Sequence, residues 1–111
     1  KEKKASSNRS DSGMLREWYD NNQLYLEFNM KNGIKNGICK KWYNDGQLQM
    51  IYSYNKGKLN GIQRKWFPNG TLRAEWNYLN DELHGISTEW QDDGSVKSKK
   101  HYKDGKLIKT L

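Results

Sequence analysis

Few residues in this 111-residue chain are capable of covalent or metal chemistry: one cysteine, Cys39, two histidines, His84 and His101, and an acidic turn, Asp92-Asp93-Gly94. A cysteine nucleophile needs a base within reach and a third group to orient that base. Cys39 stands at a position filled elsewhere by Leu15, Gln63 and Ser87, so nothing in the surrounding pattern requires a thiol. Two histidines and one cysteine do not supply the ligand spacing of a zinc site. Asp92-Asp93-Gly94 could hold a cation, but Pro68-Asn69-Gly70 occupies the same slot one copy earlier, which marks it as a turn. The sequence points away from catalysis and implies no cofactor and no metal.

Residues suited to recognition are more numerous. Tyr19, Tyr43 and Phe67 occupy one recurring column just ahead of a turn, where the fourth copy has Gln91, and Tyr25 and Ile51 extend that row. Side chains with apolar bodies and polar tips are typical anchors of protein interfaces. Two readings are open: the row shields the backbone of a thin sheet, or it is a protein-binding strip. Its loss at Gln91, in the terminal copy where shielding matters most, favours the strip. Lys97, Lys99, Lys100 and Lys103 form a second candidate, for docking to an anionic lipid or polymer surface. The alternative is that these lysines deter edge-to-edge pairing of an edge strand. The chain carries +7 overall, from 20 basic and 13 acidic residues. Arginine is scarce in the C-terminal patch, which weighs against nucleic-acid readout.

These columns exist because the chain repeats itself. Gly13, Gly37, Gly61 and Gly85 recur at constant spacing, each followed by Met14, Ile38, Ile62 or Ile86. Trp18, Trp42, Trp66 and Trp90 keep the same phase, as do Leu24, Leu48, Leu72 and Val96. A fixed period of this length is the signature of a repeat architecture. The copies run 13–36, 37–60, 61–84 and 85–108.

Within a copy the apolar and long side chains alternate with polar ones, as in half-buried strands. Asn44-Asp45-Gly46, Pro68-Asn69-Gly70 and Asp92-Asp93-Gly94 fit three-residue hairpin loops that end in a left-handed residue. A regular ladder from that loop sets Trp66 opposite Leu72, Arg64 opposite Ala74 and Ile62 opposite Trp76, all on one face. It likewise sets Trp42 opposite Leu48, Lys40 opposite Met50 and Ile38 opposite Tyr52. A second turn, at Asn55-Lys56-Gly57, Asn80-Asp81-Glu82 and Lys103-Asp104-Gly105, leads into the next copy. The expected fold is all-β: an elongated, single-layer antiparallel meander of eight strands. At roughly 4.8 Å per strand it spans about 38 Å.

Composition agrees, with 33% hydrophobic residues, 13% aromatic and a mean hydropathy of -1.20. That suffices to cover one face of a sheet and not to fill a sandwich. The Trp/Leu face leaves an apolar strip that curvature, the leader, a second copy of the chain or a foreign partner must cover. Residues 1–12, KEKKASSNRSDS, lack apolar character and read as a basic, polar leader; residues 13–111 form the repeat domain. Such a leader suits a tether behind a cleaved signal or lipidation site.

The pattern G-I-x-x-x-W-[YF]-x-x-G-x-L, followed by Y-x-x-G-K-L-x-G, resembles the MORN-type repeat, and more narrowly the bacterial variant grouped as YwqK-like antitoxins. The resemblance implies hairpins laid side by side in one curved sheet that acts as an interaction module. The antitoxin group implies a partner protein, a toxin, neutralised by occlusion of its surface; self-association is the other protein-binding outcome. It also implies a bacterial setting, in the cytoplasm or the cell envelope. Lys100 in the aromatic column and Lys109-Thr110 in place of the next Gly-Ile depart from the pattern and suggest that the array ends there.

Overall fold

Two kinds of turn alternate along the chain, and their backbone geometry sets the architecture. The structure, a computed structural model, describes residues 12–111. The reading of the leader therefore lies, apart from Ser12, outside the described residues. After Trp18, Trp42, Trp66 and Trp90 the chain closes a three-residue loop: the Tyr43 N–H donates to the Gln47 carbonyl at 2.7 Å, and the Gly46 N–H to the Tyr43 carbonyl at 3.0 Å. Gly46, Gly70 and Gly94 have φ of 93°, 91° and 91°, and Asn22 takes the slot in the first copy at 69°. Asparagine tolerates that left-handed region better than most residues. The preceding side chain secures the loop. Oδ1 of Asn21, Asp45, Asn69 and Asp93 accepts the N–H two residues on, at 2.9–3.0 Å. The Gln47 N–H holds the Asp45 carboxyl below its ordinary range, and the hydroxyl and N–H of Ser95 do the same for Asp93.

The second turn is tighter than the sequence suggests. Only two residues bridge the strands (Asn32-Gly33, Lys56-Gly57, Asn80-Asp81 and Asp104-Gly105), and both have positive φ in every copy. That is the type I′ turn, whose twist matches the twist of the strands it joins. The side chain ahead of each repeat's glycine caps it: Asn36 Oδ1 accepts the Lys56 N–H at 2.9 Å, and Asn60 Oδ1 the Asn80 N–H at 3.2 Å.

Alternating these turns yields eleven strands in one antiparallel sheet: β1 (Gly13–Trp18), β2 (Leu24–Lys31), β3 (Ile34–Trp42), β4 (Leu48–Asn55), β5 (Lys58–Leu59), β6 (Gly61–Trp66), β7 (Leu72–Leu79), β8 (Glu82–Leu83), β9 (Gly85–Trp90), β10 (Val96–Lys103) and β11 (Lys106–Thr110). The spatial order is β1-β2-β3-β4-β6-β7-β9-β10-β11, with the short β5 and β8 paired to β4 and β7. The extents of 44 × 35 × 15 Å are those of a single layer. The count exceeds eight for two reasons. The chain turns back once more as β11, and Asn60 and His84 interrupt what is continuous in β3. Consequently β10, which carries Lys97, Lys99, Lys100 and Lys103, is flanked on both sides by β9 and β11. The expectation that these lysines protect an edge strand is corrected; the edge strand at this end of the sheet is β11.

The regular ladder expected from the loop is also corrected. Trp66 does lie opposite Leu72, but the next pairs are Lys65 with Ala74 and Gln63 with Trp76. Arg73 is an extra residue, a β-bulge, and Tyr25, Gln49 and Lys97 are its counterparts. One inserted residue exchanges the faces of everything beyond it on the partner strand. Ile62 and Arg64 therefore accompany Trp66 and Leu72 on one face, here the tryptophan face. Gln63 and Lys65 join Ala74, Trp76 and Tyr78 on the other, the aromatic face.

Burial follows the corrected register. Leu15, Phe28 and Cys39 form the buried cluster, with Leu26, Met30, Tyr52 and Tyr54 packed on it. Met14, Ile38, Ile62 and Ile86 are 38–46% exposed. Along the buried column Leu15, Cys39, Gln63, Ser87 the core turns polar toward the fourth copy. A buried amide must find partners, and Gln63, 1% exposed, accepts from the Ser53 N–H at 2.7 Å and donates to the Gly61 carbonyl at 3.0 Å. Ser87 is buried too, and its hydroxyl has no hydrogen-bond partner among the described residues.

Candidate binding surface

The row proposed from sequence divides. Tyr19 and Tyr43 reach forward into the next copy: the Tyr19 hydroxyl donates to the Trp42 carbonyl at 2.9 Å and the Tyr43 hydroxyl to the Trp66 carbonyl at 2.6 Å. Tyr19 is only 8% exposed, and burial pushes both phenols above their ordinary 10.0. Each of these hydroxyls thus serves the copy that follows. Phe67 lacks a hydroxyl and instead lies under the Arg73 guanidinium, 5.3 Å from ring centroid to carbon. Tyr25, the bulge residue of the first hairpin, meets Tyr19 edge to face at 5.0 Å. Ile51 leaves the row: its partners across the strands are Lys40 and Arg64, which places it on the tryptophan face.

The lysines of β10 divide as well. Lys100 pairs with Ser87 on the aromatic face and Lys99 with Thr88 on the other, so the four do not form one patch.

The corrected register brings a further set of aromatic residues to the face of Tyr43 and Phe67, whereas a regular ladder puts them on the tryptophan face. Phe28, Tyr52 and Trp76 occupy one column of the aromatic face, and Tyr54, Tyr78 and Tyr102 the column two residues further on. Burial raises the Tyr52 and Tyr54 phenols as well. Cations border these rings. Lys35 Nζ lies 5.3 Å from the ring centroids of both Phe28 and Tyr54, and Lys41 Nζ lies 5.3 Å from that of Tyr25. On the tryptophan face, by contrast, Arg16 and Arg64 are neutralised by Glu27 and Glu75 at 2.8 and 2.7 Å. Between described residues, these are the ion pairs of arginine and lysine. Sequence reasoning missed Tyr52, Trp76 and Tyr54 as surface residues because it placed them beneath the Trp/Leu ladder.

The reactive residues are dispersed. Cys39 is buried, which raises its thiol pKa. His84 Nδ1 lies 3.8 Å from the Asp104 carboxylate at the last type I′ turn. Among the described residues no three His, Cys, Asp or Glu side chains cluster as metal ligands.

Comparison with known proteins agrees with this architecture. No curated protein matches the chain. The family model for the MORN repeat variant matches residues 35–56, 59–80 and 83–104, three successive units in the 24-residue phase of the hairpins. Repeats of this type are associated in general with protein or membrane binding. The matches span more than half of the chain and coincide with its strands and turns: this protein belongs to the MORN repeat variant family.

Proposed function

We propose that the chain is a non-catalytic module that binds a protein partner on its aromatic face, with neutralisation of a toxin by occlusion as the specific form. The observation that carries this reading is the contrast between the faces. The tryptophan face neutralises Arg16 and Arg64 in ion pairs, whereas the aromatic face sets rings beside Lys35 and Lys41, which have no carboxylate partner among the described residues. Half-buried aromatics flanked by unneutralised charge are the composition of interface anchors. Tyr25 and Phe67 remain in the contact surface, while Tyr19 and Tyr43 act mainly in joining copies.

The test is capture of a partner by the wild-type chain and by two folded variants. Lys35→Glu/Lys41→Glu alters the aromatic face and is expected to lose the partner at least about tenfold, or 1.4 kcal/mol. Ile38→Ser/Ile62→Ser alters the tryptophan face and is expected to retain it. The reverse pattern moves the interface to the tryptophan face and refutes the proposal.

A further inference from the structure

The aromatic face is not uniform along the array. At the column following the bulge, Leu26 and Met50 fill the surface of the first two hairpins, but the third has Ala74 and the fourth Ser98. Ala74 is 2% exposed, with Lys65 beside it on one neighbouring strand and Glu89 on the other. Where the larger side chains are missing, the sheet opens a groove of about 340 Å³ between the third and fourth copies. Phe67 and Trp76 stand along it, and Lys65, Arg73 and Lys97 line it against Glu89 and Asp92. A volume of that size accommodates one or two side chains of a ligand.

The bulges account for the charge. In a bulge two successive residues face the same side, so Arg73 projects beside Ala74, and Lys97 beside Ser98, where a regular ladder sets each pair on opposite faces. Neither Lys65, Arg73 nor Lys97 has a carboxylate within ion-pairing distance among the described residues. The Arg73 guanidinium is held over Phe67, its carbon 5.3 Å from the ring centroid. A planar guanidinium in this position suits a carboxylate taken in bidentate fashion.

We infer that this groove takes an extended acidic segment of a partner polypeptide, seating a carboxylate between Arg73 and Lys97 and the apolar side chain two residues along over Ala74 against Trp76. The assignment rests on the aromatic face being the binding surface, and it names the partner's chemistry at one point on that face.

The experiment is fluorescence anisotropy with labelled peptides on the intact chain. The probes are peptides repeating Glu-Ser-Leu-Ser (the glutamate–leucine peptide), Lys-Ser-Leu-Ser (the lysine–leucine peptide) and Glu-Ser-Ser-Ser (the glutamate–serine peptide), in which the first and third side chains of each repeat share a face. The glutamate–leucine peptide is expected to bind, and the other two at least about tenfold more weakly. Ala74→Met restores the second copy's residue and fills the groove. Arg73→Glu/Lys97→Glu reverses charge at two exposed positions and leaves the core untouched. Each is expected to reduce binding at least about tenfold. Unchanged affinity in Arg73→Glu/Lys97→Glu overturns the inference even if Ala74→Met fails to fold. Equal binding of the glutamate–serine peptide overturns it as well, since charge alone then suffices. Loss of peptide binding in Lys35→Glu/Lys41→Glu with Arg73→Glu/Lys97→Glu unaffected removes the groove assignment and leaves the aromatic face standing. Absence of peptide binding by the wild type also overturns the groove assignment, and partner capture by Lys35→Glu/Lys41→Glu then decides the face independently.

Discussion

Phe67→Tyr should stabilise the protein by completing a series that the sequence leaves unfinished. Tyr19 and Tyr43 each donate a hydroxyl to the tryptophan carbonyl of the following copy, at 2.9 and 2.6 Å. Because the copies share one period, a tyrosine at 67 brings its hydroxyl to the Trp90 carbonyl in the same way. A net intramolecular hydrogen bond contributes about 0.5–1.5 kcal/mol. The gain should lie toward the lower end, since Gln91 beside it is exposed and solvent competes for a carbonyl at such a site. The reciprocal deletions calibrate the effect. Tyr43→Phe should cost about 1 kcal/mol. Tyr19→Phe should cost about 1–2 kcal/mol, because Tyr19 is buried and water replaces its donor poorly. Urea denaturation followed by circular dichroism reads all three, and a 1 kcal/mol change moves Tm by about 4–8 °C in a domain near this size. If Tyr43→Phe leaves the midpoint unchanged and Phe67→Tyr adds nothing, the hydroxyls do not join the copies, and the row returns to being a contact strip.

The corrected register predicts that Ile62→Thr changes stability by less than about 0.5 kcal/mol, as at most exposed sites, whereas Gln63→Ala costs about 1–3 kcal/mol by stranding the Ser53 N–H; a regular ladder predicts the opposite order in the same denaturation assay. Raised phenol pKa values mean that Tyr19 and Tyr43 contribute stability that is complete below about pH 10 and lost as pH climbs through their folded values, so an alkaline titration should unfold the wild type more steeply than Tyr43→Phe. Phe67→Ala should weaken partner binding about tenfold with a smaller loss of stability than Tyr19→Ala, measured by titration calorimetry alongside thermal melts. Lys97→Glu should reduce partner binding while Lys99→Glu, on the other face, should not.

The period, both turn positions and the Trp/Leu pairs were legible because each depends on residues with local signatures: glycine at a positive φ, asparagine and aspartate accepting the N–H two residues on, and aromatics at constant phase. The bulge left no such mark. Arg73 and its counterparts Tyr25, Gln49 and Lys97 share no residue type, and none has a positive φ that would select glycine or asparagine. Yet that single residue decides which face Ile62 and Gln63 occupy, and with them the whole core. One signal was available in the charges. Arg16 with Glu27, and Arg64 with Glu75, are complementary across the bulged register and mismatched in the regular one. The candidate surface was half legible for the same reason: Phe67 and Tyr25 lie on it, but Tyr52, Tyr54 and Trp76 come to it only once the bulge is recognised.

The hydroxyl bonds between copies all run one way, from an earlier tyrosine to a later carbonyl, and span 23 residues each time. Every other link between hairpins likewise joins neighbours in sequence. Excising one whole period, such as 37–60, would set Tyr19 before the Trp66 carbonyl in place of Trp42, with every ladder still closed. Duplicating a period would be equally silent at its seams. Unequal recombination can therefore lengthen or shorten this gene in whole periods while keeping the ladders and the hydroxyl links in phase, and the number of copies becomes a heritable dimension of the sheet.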